Sequence, residues 1–265
     1  MSLSSVTRIL SLLRTPLLQP WGIPFPLIDL AGAVRLSVVL RQIKKLKGAG
    51  LDSSDSSDTR VSPWTTALIL FGGEAIMCSL LSLTPGFLLS PNVALLFMGM
   101  QFVANEVIGD PPPFLFHVEL PIAIFDAFGR ALLLCDFAPA LLARHPDPAV
   151  AGSPLALLIT SEVLTNGGFF FVNLLNMLDP RGWRVDRTPP EALPWGWTAI
   201  DLWSAPVMTA LWATLTHWRA EQGQPFWTDL HTSYAILAGH KKTTEKFTIP
   251  QAWSHSDARA ACIVV

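Results

Sequence analysis

The sequence predicts an all-α integral membrane protein of seven transmembrane helices, built as two inverted three-helix repeats plus a seventh helix. Three observations carry this. First, the 265 residues are 51% apolar and 14% charged, with a mean hydropathy of +0.42, whereas soluble domains carry about 25% charge. Second, the chain holds several apolar runs near the roughly 20 residues that a crossing needs. Third, landmarks recur at one offset: Gly72-Gly73 and Gly167-Gly168, Pro26 and Pro121, and Pro85 and Pro180 are each 95 residues apart. The repeating unit holds three spans, an odd number, so the two copies must face opposite ways. Inverted repeats of this kind mark channels and transporters.

Residues 1–20 contain Arg8 and Arg14, several serines and no acid. They read as an interfacial amphipathic lead-in, with a mitochondrial transit peptide as the other reading. The first span covers about 22–40 and carries Asp29 and Arg35. The second, about 64–83, carries Glu74 beside its glycine pair. The third, about 91–108, is short and ends near Glu106. Pro111-Pro112-Pro113 then forces a turn, because proline lacks the amide donor and locks φ. The fourth, about 114–134, carries Asp126 and Arg130; the fifth, about 154–178, carries Glu162 and the second glycine pair. The sixth, about 197–218, contains Pro206, and the seventh, about 225–239, is short and diluted by Asp229 and His231. Repeat 1 is thus about 22–110 and repeat 2 about 114–218, within a transmembrane domain of residues 1–240. Residues 48–62 read as a flexible polar loop, and 241–265 as a polar, poorly ordered tail.

Lys and Arg placement sets orientation. On the seven-span reading, one side collects Arg8, Arg14, Arg144 and Arg219, and the other collects 12 basic residues, including Arg41, Lys44, Lys45, Lys47 and the tail lysines. That places the N-terminus in a lumen and the C-terminus in the cytosol.

Charges at membrane depth are costly and mark function or internal pairing. Asp29, Arg35, Glu74, Asp126, Arg130 and Glu162 are the candidates. Asp126 and Arg130 are four apart, an ion-pair spacing on one helix face. The two glycine pairs predict helix kinks, whose freed carbonyls can meet a permeating cation. Gly72, Gly73, Glu74, Asn166, Gly167 and Gly168 are therefore the expected pore lining. Simple packing glycines are the alternative.

Catalytic signals are poor: no histidine pair at metal spacing, no nucleophile elbow and no phosphate loop. No enzyme activity, metal, cofactor or nucleic acid is expected. Cys78, Cys135 and Cys262 form neither ligand spacing nor a disulfide framework. The terminal Cys262-Ile263-Val264-Val265 fits a prenylation pattern, with a chance match as the other reading.

In their order, these residues resemble the TRIC family, trimeric intracellular cation channels of endoplasmic and sarcoplasmic reticulum. The resemblance spans about residues 25–240. Phe25-Pro26-Leu27-Ile28-Asp29 is similar to that family's Phe-Pro-x-x-Asp. Phe71 to Cys78 resembles its second-helix Phe-Gly-Gly-Ala-Ile-x-x-Cys with one residue inserted or shifted. Leu120-Pro121, Gly167-Gly168 and Ser204-Ala205-Pro206 resemble its fourth-, fifth- and sixth-helix motifs. The resemblance implies a homotrimer with one pore per protomer, lined by the second and fifth helices, passing potassium as counter-ion to calcium release. One departure stands out: Asp126-Ala127-Phe128-Gly129-Arg130 occupies the place of a Lys-Glu-Val-x-x-Arg-like stretch that binds an anionic lipid headgroup. An acid there repels phosphate, which puts phosphoinositide binding in doubt. Two other functions fit the chain. One is an integral-membrane enzyme on a lipid-like substrate, using Glu74, Asp126 and Glu162. The other is a non-conducting structural relative.

Overall fold

The computed structural model describes residues 2–18, 25–49, 58–185, 188–238 and 250–264. The chain is mainly helical, as predicted. Most of the loop at 48–62 and residues 239–249 lie outside the described residues.

Helix α1 (Leu3–Leu13) buries Val6, Leu10 and Leu13, an i, i+4, i+7 stripe that makes it the expected amphipathic lead-in. Strand β1 (Pro16–Leu18) pairs antiparallel with β2 (Phe25–Pro26), and Pro26 caps α2 (Leu27–Gly48). Helix α2 runs past the expected end near 40, because Leu, Gln, Arg and Lys are all good helix formers.

Helices α3 (Pro63–Leu80) and α9 (Pro154–Leu174) start and stop by the same devices. Ser62 and Ser153 are the caps, each followed by Pro at the first helical position. Beyond each helix a residue turns left-handed, Ser82 at φ 53° and Asn176 at φ 47°. Leu83 N–H then donates to the Cys78 carbonyl at 2.8 Å, and Met177 N–H to the Val172 carbonyl at 2.9 Å. These six-residue closures satisfy the last free carbonyls.

The short α4 (Gly86–Leu89) precedes α5 (Asn92–Val107). Helix α6 (Phe116–Leu132) contains Pro121 in its interior and widens into a π-turn at Leu133–Phe137 before α7 (Ala138–Ala143). Pro26 caps a helix whereas Pro121 sits inside one, so that offset does not mark equivalent positions. A short α8 (Pro148–Ala151) leads into α9. Helix α10 (Ile200–Thr216) accommodates Pro206, and α11 (Phe226–Leu237) follows.

The tail is a correction. It contains α12 (His255–Val264), which packs on α1, α6 and α10. Trp253 N–H donates to the Leu215 carbonyl at 2.9 Å. The chain therefore returns to the end of α10 from which α11 departs, rather than continuing to the opposite end.

Among the described helices, α3 and α9 are long and apolar enough to cross a membrane. Helix α11, with 12 residues, is about 18 Å long at the helical rise, short of the ~30 Å hydrocarbon core. In the packing, α3 meets α9 at the centre, α5 lies on α3, and α10 lies on α9. The outer faces expose Phe102, Phe116, Ile124, Ile159, Trp203 and Val207.

Candidate functional site

The two glycine pairs meet each other. A Cβ added to Gly72 would lie 3.0 Å from Gly168 Cα, and one on Gly167 would lie 3.0 Å from Gly73 Cα. A Cβ on Gly73 would strike the Val163 and Leu164 carbonyl oxygens, and one on Gly168 the Ile69 carbonyl oxygen. Shifting every number by 95 turns the Gly72–Gly168 contact into the Gly167–Gly73 contact. It likewise turns Gly168–Ile69 into Gly73–Leu164. These four contacts interchange, so α3 and α9 cross about an approximate local two-fold axis, from which the Gly73–Val163 contact departs. The expected kinks are corrected here. Helix runs unbroken through both pairs, and the missing side chains let the two backbones touch. The described cavities are lined by neither pair.

Glu74 is buried, and its Oε1 accepts the Gly86 N–H that opens α4. On α9, Asn166 Nδ2 donates to Glu162 Oε1 at 2.7 Å, one turn earlier. Neither side chain stands alone at the crossing.

Each crossing helix also carries a buried polar layer, and the two layers match. Thr65 and Thr66 on α3 are 95 residues before Thr160 and Ser161 on α9. Gln101 on α5 and Thr209 on α10 are buried as well, 108 residues apart and so off the repeat offset. All six are buried to within 1% exposure. Thr66 Oγ1 donates to Gln101 Oε1 at 3.1 Å, and Ser161 Oγ to the Leu158 carbonyl at 2.8 Å. Among the described residues the hydroxyls of Thr65, Thr160 and Thr209 have no hydrogen-bond partner. Seven residues separate each threonine from its glycine pair, so the layers lie about 10 Å to either side of the crossing.

The other expected charges are dispersed. Arg35 pairs with Glu119 at 3.2 Å, and Gln42 Nε2 reaches the other oxygen of that carboxylate. Arg130 Nε bonds Asp126 Oδ2 at 3.0 Å, as the spacing predicts, on a half-exposed face. Asp29 is half-buried in the first turn of α2, where the helix dipole favours an anion. The carboxylates of Glu74, Asp126 and Glu162 line none of the described cavities.

Two residues carry more of the structure than the sequence signals. Arg41 is 2% exposed. Its guanidinium caps the C-terminal end of α5, donating to the Ala104, Ile108 and Gly109 carbonyls and to Thr59 Oγ1. Asp136, in the π-turn, accepts from His255 Nε2 at 2.7 Å and from Arg259, with Arg14 3.7 Å away. A cavity of about 850 Å³ adjoins it, lined by Trp212, Trp218, Arg219, Glu221 and Trp253 among others. Across the end of α10, His217 Nε2 and His231 Nδ1 are 2.9 Å apart. Cys262 faces inward, with its Sγ 3.5 Å from the Met208 carbonyl. Prenylation would require the end of α12 to detach.

No protein-family model, curated protein or solved structure matches this chain.

Proposed function

We propose that this chain is a membrane-embedded monovalent cation channel, built from two inverted three-helix units around the α3–α9 crossing. Residues 27–107 form one unit and residues 116–216 the other. The self-matching glycine contact carries this reading. An intramembrane two-fold between antiparallel helices is how inverted-repeat channels and transporters are built. The exposed apolar faces of α5, α6, α9 and α10 suit lipid or a second copy of the chain. The resemblance to TRIC channels supplies the finer reading: potassium as the ion, a homotrimer, and an endoplasmic reticulum membrane. The ion path does not run between the glycine pairs, where the backbones touch. It follows the buried hydroxyls of the Thr65 and Thr160 layers, which offer neutral oxygen ligands to a dehydrated cation.

Purified protein in planar bilayers with symmetrical KCl tests the proposal. Unitary cation-selective currents are expected. Thr65→Val and Thr160→Val should each lower them without changing oligomeric state. A silent bilayer from folded, incorporated protein would favour the non-conducting structural reading. The enzyme reading has the cavity beside Asp136 in its favour; hydrolysis or modification of an added lipid by the same preparation would turn the assignment toward it.

A further inference from the structure

Cys135 and Cys262 are 127 residues apart and neither has a motif around it. The fold brings them together. The π-turn at Leu133–Phe137 presents two consecutive residues, Cys135 and Asp136, to the C-terminal helix. On α12, His255, Arg259 and Cys262 follow one another at i, i+4 and i+7, one face of a helix. His255 and Arg259 bind Asp136, while Cys262 packs on the core that contains both Cys135 and Cys78. A cavity of about 290 Å³ is lined by both sulfur-bearing residues, with Arg130, Thr165 and Met208 among its walls. Cys135 is fully buried, whereas Cys262 is partly exposed. Cys78 is buried and belongs to α3.

We propose that Cys135 and Cys262 form a reversible disulfide that locks α12 onto the bundle. The oxidant is a hydroperoxide. The more exposed Cys262 thiolate attacks the peroxide O–O bond, becoming a sulfenic acid and releasing hydroxide, which takes up the proton lost from the thiol. Cys135 sulfur then attacks the Cys262 sulfur, its proton leaving with the sulfenic oxygen as water. With hydrogen peroxide, two thiols are oxidised, one peroxide is reduced, and two waters form. Burial of Cys135 limits its access to small partners, and Cys262 is the thiol beside it. The contacts of His255 and Arg259 with Asp136 fasten α12 to the π-turn that carries Cys135. Closing a loop of this length removes much unfolded-state freedom, so the lock tightens the tail without altering the crossing of α3 and α9. The proposal stands whether or not the protein conducts ions.

The test uses the full-length protein in detergent, treated with hydrogen peroxide and then alkylated. Alkylatable thiols should fall from three to one, the intact monomer should lose two hydrogens, and a peptide map should join Cys135 to Cys262. Dithiothreitol should restore all three thiols. The Cys135→Ser variant should stop at a Cys262 sulfenic acid that dimedone traps. A crosslink through Cys78, a disulfide-linked dimer, or a Cys262 sulfinic acid with Cys135 still free would overturn the proposal. The wild-type peptide map decides the matter even where the serine variant does not fold.

Discussion

The guanidinium of Arg41 donates to the Ala104 carbonyl at 2.6 Å, across 63 residues of sequence. Among the described residues its hydrogen-bond partners include no carboxylate; it fastens α2 to the end of α5, its charge balanced by the carbonyl end of a helix dipole and by the nearby Asp110 and Asp58. Replacing it with Met removes the donor and leaves buried carbonyls unsatisfied, each costing about 1–3 kcal/mol. Arg41→Met is expected to destabilise the protein by about 3 kcal/mol or more by that count. Lysine, with one ammonium in place of the planar fork, should recover only part of the loss. Denaturant unfolding in detergent measures both.

The glycine crossing makes a graded prediction. Gly73→Ala and Gly168→Ala each place a methyl on a backbone carbonyl. Backbone cannot yield as a side-chain tip can, so each should cost at least the roughly 1–3 kcal/mol of overpacking. Gly129 faces open space, with nothing within 4 Å of an added Cβ, and lies inside a helix. Gly129→Ala should therefore stabilise by about 0.5–1 kcal/mol. Thermal unfolding of the three variants side by side separates packing glycines from incidental ones; equal losses at all three positions would contradict the crossing.

Glu74 is held by the Gly86 amide, which sets a different expectation from a pore carboxylate. Glu74→Gln should weaken a charge-assisted hydrogen bond, worth about 1.5–3 kcal/mol, and leave cation selectivity as it was. Unfolding and reversal-potential measurements on the same preparation distinguish the two roles. A large drop in potassium conductance at low salt, with stability intact, would return Glu74 to the ion path.

Asp179 follows α9 and is almost fully buried. Hydrogen bonds from the Arg181 side chain, opposed by burial and reinforced by the Arg181 amide and Arg184, hold its carboxyl well below the usual range. A carboxylate whose folded pKa is depressed contributes stability that is complete above its unfolded pKa, about 4. That contribution fades as pH falls from there through the depressed value. The wild type should therefore lose stability on acidification below about pH 4. Asp179→Asn should be less stable at pH 7 and flatter in acid. Parallel curves for the two proteins would remove this pair from the account.

Much of the architecture is legible in the sequence because apolar length and helix punctuation are local signals. Ser62-Pro63 and Ser153-Pro154 mark the starts of α3 and α9 directly, and the 95-residue offset locates their contact. What the glycines do there is not local. The same absence of a side chain permits a kink or a close approach, and only the partner helix decides between them. Arg41 was hidden within a basic cluster that reads as ordinary flanking charge, though it extends the helix by good formers. Asp136 lies just past an apolar run, and its significance depends on a helix more than a hundred residues away. The spacing of His255, Arg259 and Cys262 was the available sign of α12, muted by the polar composition around it.

The bond between Trp253 and Leu215 has a topological consequence. A chain that leaves α10 through α11 and comes back to the same end of α10 has made no net passage. From there α12 runs back along α10 as far as Met208, where Cys262 lies, so the helix is enclosed along the side of the bundle. An added protease should then spare the segment 255–264 in the folded protein, where Ala258, Arg259 and Ala260 are buried, and cut it once the protein unfolds.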